Sequence, residues 1–276
     1  MRFPDRPLTL RYISVCIIMM FVMRITYASP LSQSPKFATS DYITDTEKIV
    51  KAPTQWDMPT WAKAVGIIGA TAALYAFDKN IQQEIQEERN GATNQASSLA
   101  QPFGNVVYLA PSLGIVYFIG NSNGNSKLKN TALLGLESVI ISSAFTGALK
   151  VSTQRARPYT GLGPNSFYSS GLSLNNNTLS FPSDHAASAF ALASVISSEY
   201  GSNNSYVSPI AYGLASLTGL SRLNDNQHWA SDVFLGSAIG YFTAKAIVRF
   251  HPGESGYTIL PMMSEGSSGF MLIHRF

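Results

Sequence analysis

Charge is scarce in this sequence: Asp, Glu, Lys and Arg together make up 13% of its 276 residues, against about 25% in an ordinary soluble domain. The net charge is only +3 and is spread along the chain, which excludes the basic footprint of a nucleic-acid-binding protein. Cysteine is scarcer still. Cys16 is the single one, so a chain shortened past it contains no disulfide, whatever its compartment. Strong overall hydropathy is also missing. Hydrophobic residues reach 45%, yet the mean hydropathy is only +0.07, because Ser, Asn, Gly and Thr fill the remaining space. No internal repeat stands out.

What is present begins with a segment laid out for export. Arg2, Arg6 and Arg11 precede the apolar stretch Tyr12 to Met23, and Ala28 offers a small residue before "SPLSQSP". That order matches a signal peptide over residues 1–28, with an uncleaved N-terminal anchor as the alternative that Arg24 favours. Residues 29–60 read as a polar leader. Six apolar segments follow: Trp61–Phe77, Gly104–Gly120, Asn130–Leu149, His185–Tyr200, Tyr206–Leu220 and Trp229–Arg249. Each exceeds the length of an average strand and is rich in Ala, Gly, Leu and Ile. Pro111 and Pro209 interrupt two of them, and Asn/Gly/Ser-rich loops join them. The expected architecture is all-α, a single bundle of about six core helices over residues 61–250. In the tail, 251–276, "YTILPMM" and "GFMLIHRF" flank "SEGSS" as a small C-terminal β-hairpin would.

The chemical vocabulary is concentrated in three clusters. "KVSTQRARPY" carries Lys150, Arg155, Arg157 and Pro158 at the end of the third segment. "FPSDHAAS" places Pro182, Ser183, Asp184 and His185 at the mouth of the fourth. "SRLNDNQHWASD" holds Ser221, Arg222, His228 and Asp232 between the fifth and sixth. Each alone has a plain structural meaning: cations at a helix C-terminus, a Ser or Asp N-cap, and a His–Asp pair on one helix face. Together they acquire another. In a bundle of antiparallel neighbours these segment ends meet at one pole. They bring together three cations, a helix N-terminus, two imidazoles and a carboxylate, an inventory suited to a tetrahedral oxyanion.

The clusters resemble the signature of the type 2 phosphatidic acid phosphatase family, which shares its site with bacterial acid phosphatases and vanadium haloperoxidases. The family pattern K-x(6)-R-P, P-S-G-H, S-R-x(5)-H-x(3)-D matches Lys150 through Arg157-Pro158, then Pro182 to His185, then Ser221-Arg222 through His228 to Asp232. Asp184 departs from it, standing where the family has glycine, which puts substrate fit and phosphate affinity in question. The resemblance covers roughly residues 60–250 and implies a metal-independent phosphomonoester hydrolase. In that reading His228 is the nucleophile that forms a phosphohistidine, and Asp232 holds its tautomer. His185 is the acid and then the base. Lys150, Arg157, Arg222, Ser183 and the Asp184 backbone bind phosphate. No cofactor or metal is implied, and vanadate is expected to inhibit. The substrate is a phosphorylated lipid, phosphatidic acid-like or a polyprenyl pyrophosphate. The alternatives are a broad-specificity periplasmic acid phosphatase, a vanadium haloperoxidase with His228 as the axial ligand, and a degenerate envelope-binding protein.

Location follows from charge. The Lys and Arg residues outside the motifs gather at the opposite pole: Lys36, Lys48, Lys51, Lys127, Lys129, Lys245 and Arg249. That bias turns the site away from the cytoplasm. A bundle beside the membrane in the periplasm, exported by the leader, satisfies this. So does an integral inner-membrane protein with an external site, although most segments run short of the ~20 residues of a span.

Overall fold

Asparagine supplies much of the punctuation in this fold. A computed structural model describes residues 39–168, 175–251, 257–264 and 267–274, and the export-like segment with Cys16 lies outside them. Among the described residues are eight α-helices: α1 Thr39–Lys51, α2 Met58–Glu87, α3 Gly91–Ala100, α4 Val106–Ser122, α5 Ser126–Thr153, α6 Asp184–Tyr200, α7 Val207–Asn224 and α8 Ala230–Phe250. Asn90, Asn105 and Asn125 cap α3, α4 and α5 by accepting from first-turn N–H groups. The Asn-rich loops are therefore helix starts, the position where a short polar side chain competes best for backbone donors. Pro209 sits in the first turn of α7, where a missing N–H costs little. Pro111 lies inside α4, yet the sharp bend falls earlier, where the Gly91–Gly104 segment meets α4 at 58°.

The six apolar segments became α2 and α4 to α8. Two helices come in addition. α1 arises within the polar leader, where Ile49 packs against the main core and the Glu47–Lys51 pair lines its outer face. α3 is short and polar, and its hydrophobic signal is correspondingly weak. Beyond α8, Tyr257–Ser264 and Ser267–His274 form β1 and β2, paired antiparallel with Tyr257 opposite His274.

α6 runs through the centre. Ala186, Ala187, Ala189, Ala191, Ala193 and Val195 are all buried on it, and small side chains all round a helix allow neighbours to approach from several sides. The main core joins α4, α5, α6 and α8 through Leu109, Leu134, Val139, Ile141, Ala191, Val195, Ala244 and Ile247. α8 lies closest to α6. A Cβ on Gly236 would come within 2.2 Å of the Ser183 carbonyl, and one on Gly240 within 2.0 Å of the Ala187 carbonyl. Glycine at both positions lets the two backbones touch.

α2, α5 and α8 are long and apolar enough to cross a membrane, and the bent α3–α4 pair makes a fourth if it counts as one span. On α2 the apolar surface faces outward: Val65, Ile68 and Phe77 are each more than 60% exposed.

Candidate active site

Every residue that the three clusters nominated lies at the pole where α5 and α7 end and α6 and α8 begin. Lys150, on the last turn of α5, donates to the Leu179 carbonyl at 2.8 Å. Arg157 is buried just beyond α5. Its Nε and Nη2 donate to the main chain and side chain of Asn176 at 2.7 and 2.9 Å. Its Nη1 lies 3.2 Å from His228 Nε2 and also reaches the Gln227 carbonyl at 3.2 Å. The guanidinium thus meets the nucleophile candidate through Nη1, its Nε–Nη2 edge held by Asn176. Arg222, at the end of α7, pairs with Asp225. Its Nε is buried without a hydrogen-bond partner among the described residues, a donor suited to an oxyanion.

Ser183 caps α6, its hydroxyl oxygen accepting from Ala186 N, and its own N–H donates to the Asp232 carbonyl at 2.9 Å. The start of α6 is thereby tied to the start of α8, with its first-turn N–H groups directed at the same pole. His185 follows within that first turn, its Nε2 3.2 Å from Gln101 Nε2. The amide can only donate there, so the ring nitrogen accepts. The carboxylate of Asp184 turns aside and accepts from the Thr146 hydroxyl of α5 at 2.9 Å. The residue that stands in place of glycine therefore directs its charge into a contact with α5.

His228 is 3% exposed. Its Nδ1 is 2.7 Å from the Ser180 carbonyl, and a carbonyl can only accept, so Nδ1 carries the proton and Nε2 keeps its lone pair. The expected partner, Asp232, stands 3.6 Å from Nδ1, beyond hydrogen-bond range. The reason is that its oxygens are already engaged. Oδ1 accepts from Arg155 at 2.6 Å. Oδ2 accepts from Trp229 N at 2.9 Å and from the Ser180 hydroxyl at 2.5 Å. Asp232 reaches His228 through Ser180, whose hydroxyl and carbonyl face the two in turn. Burial first, then the cations Lys150, Arg157 and Arg222, hold the His228 ring well below its ordinary 6.5. The imidazole is accordingly neutral at neutral pH, as a nucleophile must be.

Sequence reasoning named Arg155 but gave no role to it and missed the support it builds beneath the site. Arg155 is 0% exposed and bridges two equally buried carboxylates, Asp232 and Asp78, the latter at 2.7 Å. Asp78 also accepts from the Ser231 N–H and hydroxyl at 2.9 and 2.5 Å. Tyr75 and Trp229 stack near the guanidinium at 4.8 and 5.4 Å. Taking one partner from a buried ion pair leaves an uncompensated charge and is strongly destabilising, so this cluster ties α2, the loop after α5 and the start of α8 together. A signal existed in the sequence: Asp78 is a lone acid near the end of an apolar run in "LYAFDKN". Ser180, Gln101 and Asn176 carried no such signal.

Two comparisons give the arrangement its class. Residues 131–255, a little under half of the chain, match the family model of the PAP2 superfamily. Over 91 residues it is 41% identical to the lipid A 1-phosphatase of Porphyromonas gingivalis, a match covering 33% of this chain and 18% of that relative's length. The crystal structure of the first transmembrane PAP2 type phosphatidylglycerolphosphate phosphatase, from Bacillus subtilis, superposes with a TM-score of 0.51 at 21% identity. That superposition covers 67% of this chain and 94% of that one, and the two share a fold. Aquifex aeolicus LpxE gives 0.46 at 19% identity, over 63% of this chain and 95% of the other.

Proposed function

We propose that this protein hydrolyses phosphate monoesters of membrane lipids through a phosphohistidine on His228. The observation that carries the reading is the state of that ring: buried and neutral, with Nδ1–H fixed by the Ser180 carbonyl and Nε2 facing the Arg157 guanidinium. When a phosphoryl group enters, Arg157, Arg222 and Lys150 take its oxygens, with the N–H groups at the start of α6. Nε2 attacks phosphorus, the P–O bond to the alcohol breaks, and His185 gives the departing oxygen its proton. Water then attacks the phosphohistidine as His185 takes a proton back, the P–N bond breaks and phosphate leaves. Side-chain cations supply the charge stabilisation at each stage.

A lipid substrate is supported from two directions. The relative in Porphyromonas gingivalis acts on lipid A, and the structural neighbour in Bacillus subtilis acts on phosphatidylglycerolphosphate. An apolar groove of about 920 Å³ lies among α2, α6, α7 and α8, lined by Ile67, Phe190, Tyr212, Leu220, Val233 and Phe234, and Leu220 and Ala230 in its lining stand two residues from Arg222 and His228 in the chain. Acyl chains match that lining. Tyr159, Phe167 and Tyr168, near the site loop, each keep more than a third of their surface exposed. The outward apolar face of α2 supports embedding in the membrane over a bundle resting beside it, since water disfavours so large an apolar patch. The basic residues at the far pole then support a site facing away from the cytoplasm.

The test is phosphate release by purified protein and by His228→Ala, with EDTA present. Lipid A, phosphatidylglycerolphosphate, phosphatidic acid and p-nitrophenyl phosphate are assayed in parallel. The expected outcome is turnover of at least one phospholipid that persists in EDTA and falls by about 10⁴-fold or more in the variant. Equal turnover by the variant would overturn the histidine mechanism, and preference for p-nitrophenyl phosphate would overturn the lipid assignment.

A further inference from the structure

A second cluster of ionisable groups sits far from the phosphate chemistry. Asp45 of α1, Glu137 of α5 and His251 just past α8 converge, each offering one ligand atom within 4.8 Å of the others. Glu137 stands thirteen residues before Lys150 on the same helix, about 20 Å along its axis. Asp45 and Glu137 are 1% and 0% exposed. His251 Nε2 lies 2.5 Å from Asp45 Oδ2 and 3.7 Å from Glu137 Oε2.

Glu137 is the anomaly. Both of its carboxylate oxygens are buried without a hydrogen-bond partner among the described residues. A buried carboxylate in that condition is strongly disfavoured unless a cation or a proton meets it. The nearby lysine is committed elsewhere, since Lys48 Nζ is held by Asp45 Oδ1 at 2.8 Å. The unpartnered Glu137 carboxylate thus lies beside the Asp45 Oδ2–His251 Nε2 contact, with one ligand atom from each residue within 4.8 Å of the others.

We propose that this point is a divalent metal site, for an ion of the Zn²⁺, Co²⁺ or Mn²⁺ type, held by two carboxylates and one imidazole. Mixed nitrogen and oxygen donors suit those ions better than Mg²⁺ or Ca²⁺, which favour oxygen alone. Bonds of about 2.0–2.2 Å require the His251–Asp45 contact, 2.5 Å here, to open by about 0.5–1 Å. The imidazole then carries its proton on Nδ1. Two carboxylates neutralise the dication, and any proton held by Glu137 leaves as the ion enters, so affinity rises with pH. The three ligands come from α1, α5 and the end of α8, so the ion clamps the leader helix to the bundle. Its role is structural and independent of phosphate release.

The experiment uses full-length, untagged protein in detergent, stripped with chelator and dialysed. Zn²⁺ is titrated by calorimetry, Co²⁺ by its visible absorption, and melting is followed with each of Zn²⁺, Co²⁺ and Mn²⁺. One ion per chain and a rise in Tm of roughly 5 °C or more are expected. Glu137→Gln and His251→Gln should each weaken binding at least about tenfold and remove the rise in Tm. Absence of saturable binding in the wild type would overturn the proposal, as would binding unchanged in both variants. Should the variants fail to fold, pulsed EPR of Mn²⁺ bound to His185→Ala/His228→Ala/His274→Ala protein, in which His251 is the one histidine left, decides: imidazole nitrogen coupling supports the site, and its absence overturns it. Phosphate release that continues after stripping, below the lowered Tm, keeps this result separate from the phosphatase reading.

Discussion

His228 keeps its attacking nitrogen available because a main-chain carbonyl holds the other one. This arrangement sets the pH dependence. A ring held well below 6.5 by burial and three cations is neutral at pH 7 and stays neutral as pH falls through 6.5. It loses its lone pair only at lower pH, so the acid limb of kcat/KM should lie below 6.5. The falling limb of the bell arises from loss of the His185 proton; burial first, then Arg222, hold that ring well below 6.5 as well, so in the free enzyme this limb also lies on the acid side of neutrality. A pH–rate profile on a soluble monoester checks this, and an acid limb at or above 6.5 would contradict it. The second expectation at this scale concerns Asp232. Asp232→Asn leaves the buried Arg155 with one carboxylate where it had two, a loss of about 3–5 kcal/mol, together with a fall in kcat of about 10²-fold. Ser180→Ala keeps the carbonyl on Nδ1 and removes only the hydroxyl link, so its kcat should fall about tenfold or less. Paired measurements of Tm and kcat separate the two effects.

At the scale of elements, the site depends on how closely α8 lies on α6. Gly236 and Gly240 stand one turn apart and bring α8 onto the carbonyls of Ser183 and Ala187, beside the residues that cap α6 and carry His185. A methyl group at 240 has nowhere to go, because what it meets is backbone. Gly240→Ala is therefore expected to destabilise by about 1–3 kcal/mol and to lower kcat while leaving every charged side chain in place. Thermal unfolding in detergent and turnover of the same preparation check both parts. The spacing Gly-x-x-x-Gly in "GSAIG" is a visible packing signal, although the chain alone does not say which helix it faces. The capping asparagines belong to the same scale. They turn loops that look merely polar into defined helix starts.

For the whole molecule, the question is which way the site pole faces. α2 enters from the far pole and reaches the site pole at Gln82 and Gln86, which bond to Asn226 and to the carbonyls of Leu223 and Asn224. Residues at the two poles should then respond differently to a thiol reagent that cannot cross the membrane. In a Cys16→Ser background, Leu162→Cys near the site should label in intact cells, whereas Asn123→Cys between α4 and α5 should label only after lysis. Both positions are exposed. The reverse pattern would turn the site toward the cytoplasm and remove external lipids as substrates.

The sequence by itself determined the helical class, the six long segments and the eight residues that line the pole. Those signals are local: a spacing such as that from Arg222 to His228 to Asp232, or an apolar run, survives without knowledge of its neighbours. It did not show α1 and α3, which are amphipathic but short and polar on average, and so do not stand out as the long apolar runs do. The tertiary structure alone decided what each residue touches. Asp78 and Arg155 meet across 77 residues, and His251 meets Asp45 across 206. Such pairings depend on which helix faces lie together, and a burial that leaves Glu137 without a partner exists only once α1, α5 and α8 have closed around it. That packing also directs the His228 Nδ1–H to the Ser180 carbonyl, because the Asp232 oxygens are engaged by Arg155, Trp229 and the Ser180 hydroxyl.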